Sequence, residues 1–153
     1  NLKVIDYLGN EYTATRFHQS AAYDLAVIYF KKNNELNVIE RESENLDVNA
    51  DIIALGQPKE QSNAITYGKI SDYKKITLNN TESYASNVTF DVMAHDAPIA
   101  GGSSGGAILN LNLKIAGINY AASTNSNKEF LQGYAIPAEK INEYLNKYVF
   151  KTG

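Results

Sequence analysis

Cysteine is absent from the 153 residues, and histidine occurs only twice. Without a thiol, the chain cannot form disulfides, thiolate metal sites or a cysteine nucleophile. His18 and His95 lie far apart, in no pattern typical of a metal site. We therefore expect neither a zinc site nor any other metal or cofactor. The absence of cysteine fits a cytosolic protein, and equally a secreted protein from an organism that does not rely on disulfides.

Long apolar runs and a strong excess of charge are also missing. No stretch is long enough to span a bilayer, and no signal-peptide pattern occurs. The formal net charge of -3 provides neither a basic face for nucleic acid nor a polybasic patch for a membrane surface. An apolar share of 44% and a charged share of 20% are typical of a soluble globular protein. The length suits one domain or a fragment of a larger protein.

Helical periodicity is scarce, whereas short β-rich runs separated by turn signals are frequent. A helix is predicted only from Pro137 onward, because proline suits a first-turn position and apolar residues recur at helical spacing from Ile141 to Val149. Residues 31–48 are charged and loosely patterned, which predicts a long loop. The pattern indicates an all-β barrel or sandwich with one C-terminal helix. Strands are predicted at residues 2–7, 11–17, 23–30, 51–55, 64–71, 73–79, 86–93, 107–109, 114–120 and 132–136.

The most informative stretch is Ala-Gly-Gly-Ser-Ser-Gly-Gly-Ala at residues 100–107, between two apolar runs. Glycines allow a positive φ and let a ligand approach the backbone closely. The register Gly-x-Ser-Gly-Gly ends on Gly106 and places Ser104 as an exposed nucleophile beside backbone N–H groups. The alternative is a polar surface turn that joins two strands.

Chain order separates three serine-nucleophile architectures. The α/β-hydrolase fold requires a histidine after the serine, and none follows Ser104. Asp24, His95 and Ser104 formally satisfy the subtilisin order, but that large α/β fold conflicts with the scarcity of helical periodicity. The order histidine, aspartate, serine on paired β-barrels is the third possibility.

Five blocks of the sequence, in the correct order, resemble trypsin-like serine proteases. The similarity is greatest to the bacterial branches without disulfides, namely the HtrA-type proteases and the group of glutamyl endopeptidases and exfoliative toxins. The blocks are residues 23–28 (family pattern DLAV), 52–58 with 67–71 (GxP … GxxS), 96–110 (DAxIxxGNSGGxLxN), 115–119 (VxGIN) and 133–137 (GxAIP).

This resemblance implies an all-β, chymotrypsin-like double β-barrel with a C-terminal α-helix, in which the first barrel is incomplete. Residues 1–48 would be the remainder of the first barrel and a linker, residues 49–136 the second barrel, and residues 137–153 the helix. The implied activity is that of a serine endopeptidase, which hydrolyses polypeptides through an acyl-enzyme intermediate. The resembling branches act outside the cytoplasm, so the resemblance also implies an extracytoplasmic, secreted or cell-envelope, location.

The resemblance assigns catalytic roles to three positions. Ser104 corresponds to the nucleophile, and Asp24 to the aspartate that orients the catalytic histidine. The backbone N–H groups of Gly102 and Ser104 correspond to the oxyanion hole, in which the loss of one donor costs about 10²–10³ in rate.

The resemblance also locates the pocket for the residue before the scissile bond (the S1 pocket). It would be formed by residues 98–100, 118–121 and 133–135, with Ile99 and Asn119 at the pocket. Tyr120 and Ala121 would pair with the substrate backbone as an added strand. Glutamyl endopeptidases carry a histidine at the position of Asn119. Because these segments carry no charge, we expect small or aliphatic residues before the scissile bond.

The catalytic histidine of the family, in a TAxH segment, is the feature that this sequence does not supply. The resemblance places it upstream of Asn1. His18 is only six residues before Asp24, which disfavours a triad, and we expect His95 to lie in a loop near the substrate cleft. The chain as given is therefore expected to be inactive, with an open first barrel whose edges could pair in a homo-oligomer. The alternatives are a non-catalytic pseudoprotease or binding module on the same fold, and an all-β interaction domain with an accidental motif.

Overall fold

The computed structural model describes residues 2–32, 36–56, 64–78, 86–100 and 103–151. These residues form a three-stranded sheet in the order β1-β2-β3 and a closed barrel in the order β4-β5-β6-β9-β8-β7, followed by one helix. The all-β prediction with a C-terminal helix is confirmed. The elements are β1 (Lys3–Ile5), β2 (Glu11–Ser20), β3 (Leu25–Phe30), β4 (Asp51–Gly56), β5 (Ala64–Lys74), β6 (Val92–His95), β7 (Ala107–Leu109), β8 (Ile115–Thr124), β9 (Phe130–Pro137) and α1 (Ala138–Tyr148).

The first sheet begins with the predicted hairpin, in which Lys3 of β1 lies opposite Thr13 of β2. Gly9 takes φ = +86° in the connecting turn, a conformation that glycine adopts without steric cost. The second strand is longer than predicted, so His18 lies within β2, opposite Val27 of β3, and not in a loop. The strand predicted at residues 23–30 begins only at Leu25, because residues 21–24 form a turn.

The loop predicted at residues 31–48 contains no named strand in its described part, and several hydrogen bonds attach it to the barrel. Arg41 forms an isolated parallel bridge with Ile115. The backbone N–H of Glu42 donates to the carbonyl of Ile115 at 2.8 Å, and Ile115 donates to the carbonyl of Glu40 at 2.8 Å. This contact fixes the connection between the sheet and the barrel.

The predicted barrel strands differ most from the structure at two places. The strand predicted at residues 64–71 continues to Lys74 as β5, with a register shift between Ile70 and Asp72. The separate strand predicted at residues 73–79 is wrong, because residues 75–78 are not in a strand. The predicted strand at residues 86–93 is wrong in its first part, because β6 begins only at Val92. Gly68 of β5 allows a close approach of the chain, because a Cβ there would lie 2.4 Å from the backbone nitrogen of Ala97.

The core consists of two clusters of buried side chains. One fills the barrel and includes Ile52, Ile70, Met93 and Ile108. The other joins the three-stranded sheet, the barrel and α1, and includes Tyr23, Leu25, Tyr120, Ile136, Ile141 and Tyr144. The helix presents its predicted apolar face to this second cluster, and Pro137 is the residue that precedes its first turn. Among the described residues, no helix is long and apolar enough to cross a membrane.

Candidate active site

Ser104 lies in an exposed turn that leads into β7. Its hydroxyl donates a long hydrogen bond, 3.5 Å, to the backbone carbonyl of Tyr120 on β8. The next residue, Gly105, has φ = +90°, which turns the chain back towards the barrel. The structure therefore presents the hydroxyl of Ser104 at the surface, next to the strand that the sequence predicts to bind substrate.

The adjacent serine has a different environment. Ser103 is 3% exposed, and its Oγ accepts a hydrogen bond from the backbone N–H of Ala100 at 3.4 Å. A Cβ on Gly56 would lie 2.6 Å from this Oγ, so β4 packs directly against Ser103. Of the two serines, only Ser104 is open to a substrate.

Backbone hydrogen bonds hold the turn against β8. The N–H of Gly105 donates to the carbonyl of Asn119 at 2.9 Å, and the N–H of Asn119 donates to the carbonyl of Gly106 at 2.8 Å. Gly106 also approaches β4 so closely that a Cβ there would lie 2.1 Å from the carbonyl oxygen of Leu55. The position of Ser104 is thus fixed from two strands of the barrel.

Asp24 occupies the turn between β2 and β3, half-buried and with φ = +53°. Its two neighbours, Tyr23 and Leu25, are buried in the second core cluster, which joins the three-stranded sheet, the barrel and α1. They hold the turn in place. The Oδ1 of Asp24 accepts a hydrogen bond from the backbone N–H of Ser86 at 3.0 Å. A fixed, half-buried carboxylate is suited to orienting a histidine.

Tyr120 lies between the two candidate catalytic residues. Its carbonyl accepts from Ser104, and its hydroxyl donates to the carbonyl of Ser86, whose N–H donates to Asp24. Burial raises the pKa of the Tyr120 hydroxyl, and the nearby negative charge of Asp24 acts in the same direction. The structure therefore brings Asp24 and Ser104 to the same region, although they are 80 positions apart in the sequence.

Three comparisons with known proteins bear on this arrangement. A family model described as "Trypsin-like peptidase domain" matches residues 1–118. The chain belongs to the trypsin-like peptidase domain family. It is 30% identical over 99% of its length to the serine protease Do-like HtrA of Bacillus subtilis, and 33% identical over 88% to a probable periplasmic serine endoprotease, DegP-like, of Buchnera aphidicola. It spans 34% and 28% of the length of these two relatives.

Solved structures show the same fold. An M. tuberculosis protease in its active form superposes with a TM-score of 0.75 at 20% identity, over 92% of this chain and 60% of that one. The protease domain of MamO from Magnetospirillum magneticum superposes with a TM-score of 0.72 at 18% identity, over 94% of this chain and 73% of that one. The predicted resemblance to chymotrypsin-like proteases is confirmed at the level of family and fold.

In this trypsin-like peptidase domain, both histidines have partners away from the serine. The Nδ1 of His18 lies 2.7 Å from the hydroxyl of Tyr144 on α1, and its ring stacks on Tyr148 with a centroid distance of 4.6 Å. His95 is wholly buried within β6, where its Nε2 lies 3.3 Å from the Oδ1 of Asn119. Its predicted place in a loop was wrong. Within the described ranges, no hydrogen bond joins either histidine to Ser104 or Asp24.

The remaining predicted site residues lie around the turn. Asn119 and Tyr120 are buried on β8, Ala121 is half-buried beside them, and Ile99 packs partly buried against the barrel core. Gly102, the predicted oxyanion-hole donor, lies outside the described residues. Sequence reasoning missed Ser86, whose backbone N–H donates to Asp24 and whose carbonyl accepts from Tyr120. Any residue type has these backbone groups, so the sequence carried no signal for this role. No group of three or more histidine and acidic side chains that could hold a metal occurs in the described parts of the chain.

Proposed function

We propose that this chain is the larger part of the peptidase domain of a serine endopeptidase. The observation that carries the proposal is the arrangement around Tyr120. The exposed hydroxyl of Ser104 donates to the backbone carbonyl of Tyr120, and the carboxylate of Asp24 lies near the Tyr120 hydroxyl. In the proposed division, residues 1–48 belong to the first barrel, residues 49–136 to the second and residues 137–153 to the helix.

The proposed reaction proceeds in two steps on Ser104. A histidine base removes the hydroxyl proton, Oγ attacks the peptide carbonyl, and the same histidine returns the proton to the leaving amine. Water then hydrolyses the acyl-enzyme in the same way. The N–H groups of Gly102 and Ser104 would stabilise the oxyanion in both steps. The exposed position of Ser104, with Ser103 buried behind it, supports its assignment as the nucleophile.

We place the catalytic histidine outside these 153 residues. His18 is bound to α1 and His95 is buried in the barrel, so both rings are held away from the hydroxyl that has to be deprotonated. The half-buried carboxylate of Asp24 would orient a histidine supplied by another segment of the full-length protein. An extracytoplasmic location is part of the proposal, because one relative is named a periplasmic endoprotease.

Labelling of the full-length protein with a fluorophosphonate tests the proposal. We expect stoichiometric labelling that is lost in the Ser104→Ala variant and retained in Ser103→Ala, which serves as the matched control. The chain of 153 residues alone is expected to label far more slowly, because Ser104 then lacks its base.

A pseudoprotease on the same fold is the second candidate, and the engagement of both histidines elsewhere favours it. Absence of labelling and of peptide hydrolysis in the full-length protein would reject the enzyme and support this alternative.

A further inference from the structure

Two polar side chains are buried next to each other beneath the nucleophile turn. His95 on β6 is 0% exposed and Asn119 on β8 is 3% exposed. The Nε2 of His95 lies 3.3 Å from the Oδ1 of Asn119. The ring lies directly over Gly133 of β9, where a Cβ would be 2.4 Å from its Cε1. The lack of a side chain at Gly133 is thus what makes room for the imidazole.

Each of these side chains has one buried polar atom without a hydrogen-bond partner, Nδ1 of His95 and Nδ2 of Asn119. Leaving such atoms unpaired in a protein interior is costly, and native structures seldom do so without a reason. No other buried side-chain nitrogen or oxygen in the described ranges is unpaired. The pair therefore calls for a polar partner.

The position of the pair relates it to the substrate. The backbone of Asn119 is hydrogen bonded in both directions to the nucleophile turn, at Gly105 and Gly106. The next residue, Tyr120, accepts the hydrogen bond of Ser104. The ring of His95 contacts Gly133 and Asn119, which belong to two of the segments assigned to the S1 pocket. A side chain bound before the scissile bond would approach this pair.

The chemistry of the pair can be counted atom by atom. If Nε2–H of the neutral imidazole donates to Oδ1, the unpaired atoms are an acceptor, Nδ1, and a donor, the NH₂ of Asn119. If the amide is turned over, its NH₂ donates to Nε2, and the unpaired atoms are the acceptor Oδ1 and the donor Nδ1–H. In both assignments, the neutral pair offers one donor and one acceptor.

We propose that His95 and Asn119 form the base of the S1 pocket and select a carboxamide side chain, glutamine or asparagine, before the scissile bond. A carboxamide carries one acceptor and one donor group, which matches the one donor and one acceptor that the pair leaves unpaired. An aliphatic side chain would leave both unpaired, in contrast to the preference expected from the uncharged sequence of these segments. Both unpaired atoms are closed off from water. The groups that cover them therefore have to move when the side chain of the substrate enters. The inference rests on the proposed protease function.

A carboxylate fits less well, because it has only acceptors and would require a protonated imidazole. Burial lowers the pKa of His95 and is the largest influence on it, whereas the hydrogen bond to Asn119 and the charge of Asp96 act in the opposite direction. The residues that lie beside the ring on the neighbouring strands, Ile70, Asn119 and Gly133, carry no charge. At neutral pH the ring is therefore neutral, and glutamine is favoured over glutamate.

The test uses the full-length protein and peptides that differ only in the residue before the cleaved bond: glutamine, asparagine, glutamate or leucine. At pH 7.5 we expect kcat/KM for the better amide substrate to exceed that for leucine and for glutamate by about tenfold or more, since a site built for hydrogen bonding rejects analogues that lack them. Equal values for glutamine, asparagine and leucine would overturn the inference without any variant.

Variants separate selectivity from structure. Asn119→Leu should abolish the preference for the amide over leucine, measured as the ratio of the two kcat/KM values in the same variant. His18→Gln replaces the other histidine, far from this pair, and should retain the preference. If Asn119→Leu lowers only the melting temperature and leaves the preference unchanged, the pair is structural and the inference fails. If the unaltered protein neither labels nor cleaves any peptide, the proposed function fails instead.

Discussion

The nucleophile turn depends on two glycines for two different physical reasons. Gly105 has φ = +90° with nothing near its missing Cβ, so a side chain there would meet strain but no obstacle. Gly106 has no room for a side chain. A Cβ there would lie 2.1 Å from the carbonyl oxygen of Leu55 and 3.0 Å from that of Ser103. Backbone atoms cannot move aside as a flexible side chain can, so the second glycine is the more demanding position.

Gly106→Ala is therefore expected to destabilise the protein more than Gly105→Ala. We expect about 1 kcal/mol for Gly105→Ala, from the unfavourable φ alone, and a loss of at least about 3 kcal/mol for Gly106→Ala, which has to displace β4. The free energy of unfolding in urea measures both. Gly9→Ala, also at positive φ in open space, is the control for strain remote from the turn. Equal losses at positions 105 and 106 would contradict the assigned contact.

The buried imidazole of His95 makes a second prediction, on the pH dependence of stability. Burial lowers the pKa of this group in the folded state, below the value of about 6.5 of an unfolded histidine. The unfolded chain then binds more protons than the folded one, so stability falls as pH decreases below about 6.5. We expect the melting temperature to decrease between pH 7.5 and pH 5.5.

The variant His95→Gln should show a smaller decrease over the same interval, even if it melts at a lower temperature throughout. The carboxyl of Glu143, whose pKa is lowered mainly by the hydrogen bond from Tyr23, affects stability only at more acidic pH, below its ordinary value near 4.5. Identical pH dependence in the variant and the original protein would assign the effect to other groups.

At the scale of the secondary-structure elements, β2 contacts α1 and so connects the three-stranded sheet to the C-terminal helix. The hydroxyl of Tyr144 donates to the backbone carbonyl of His18 at 3.2 Å and lies 2.7 Å from its Nδ1. Tyr23, in the turn between β2 and β3, donates to the carboxylate of Glu143 at 2.5 Å. This packing fixes the turn that carries Asp24.

Tyr144→Phe should lower the free energy of unfolding by about 1–2 kcal/mol, because it leaves half-buried polar groups of His18 without their partner. Tyr148→Phe is the matched control: its ring stacks on His18, and its hydroxyl forms no hydrogen bond to another described residue. We expect a change within about 0.5 kcal/mol there. Urea unfolding measures both variants, and a similar loss in each would indicate that ring packing alone holds the helix.

The elements also show what the sequence could and could not predict. Local signals predicted the hairpin at Gly9 and the helix after Pro137, since turn chemistry and helical periodicity act over a few residues. The end of β5 at Lys74 and the late start of β6 depend on pairing with distant strands, which a local sequence pattern does not report. The motif around Ser104 indicated the candidate nucleophile, whereas the burial of His95 against Asn119 required the closed barrel to be known.

At the scale of the whole molecule, the two sheets differ in closure. Every strand of the barrel has neighbours on both sides, whereas β1 and β3 each have a free edge in the described residues. Large apolar side chains of the first sheet remain exposed, with Ile5 at 65%, Phe17 at 55% and Ile28 at 41%. An open edge beside exposed apolar groups favours pairing with a further strand.

We therefore expect the chain of 153 residues to self-associate through its first sheet. Sedimentation velocity should show a concentration-dependent increase in mean mass, which Ile28→Lys reduces because a charged residue on an outer strand opposes edge pairing. Ile65→Lys is the control, since Ile65 is 58% exposed but lies on β5, whose two edges are already paired. A monomer at all concentrations would contradict the prediction. Equal reduction by both lysines would assign association to exposed apolar surface in general and not to the open edge.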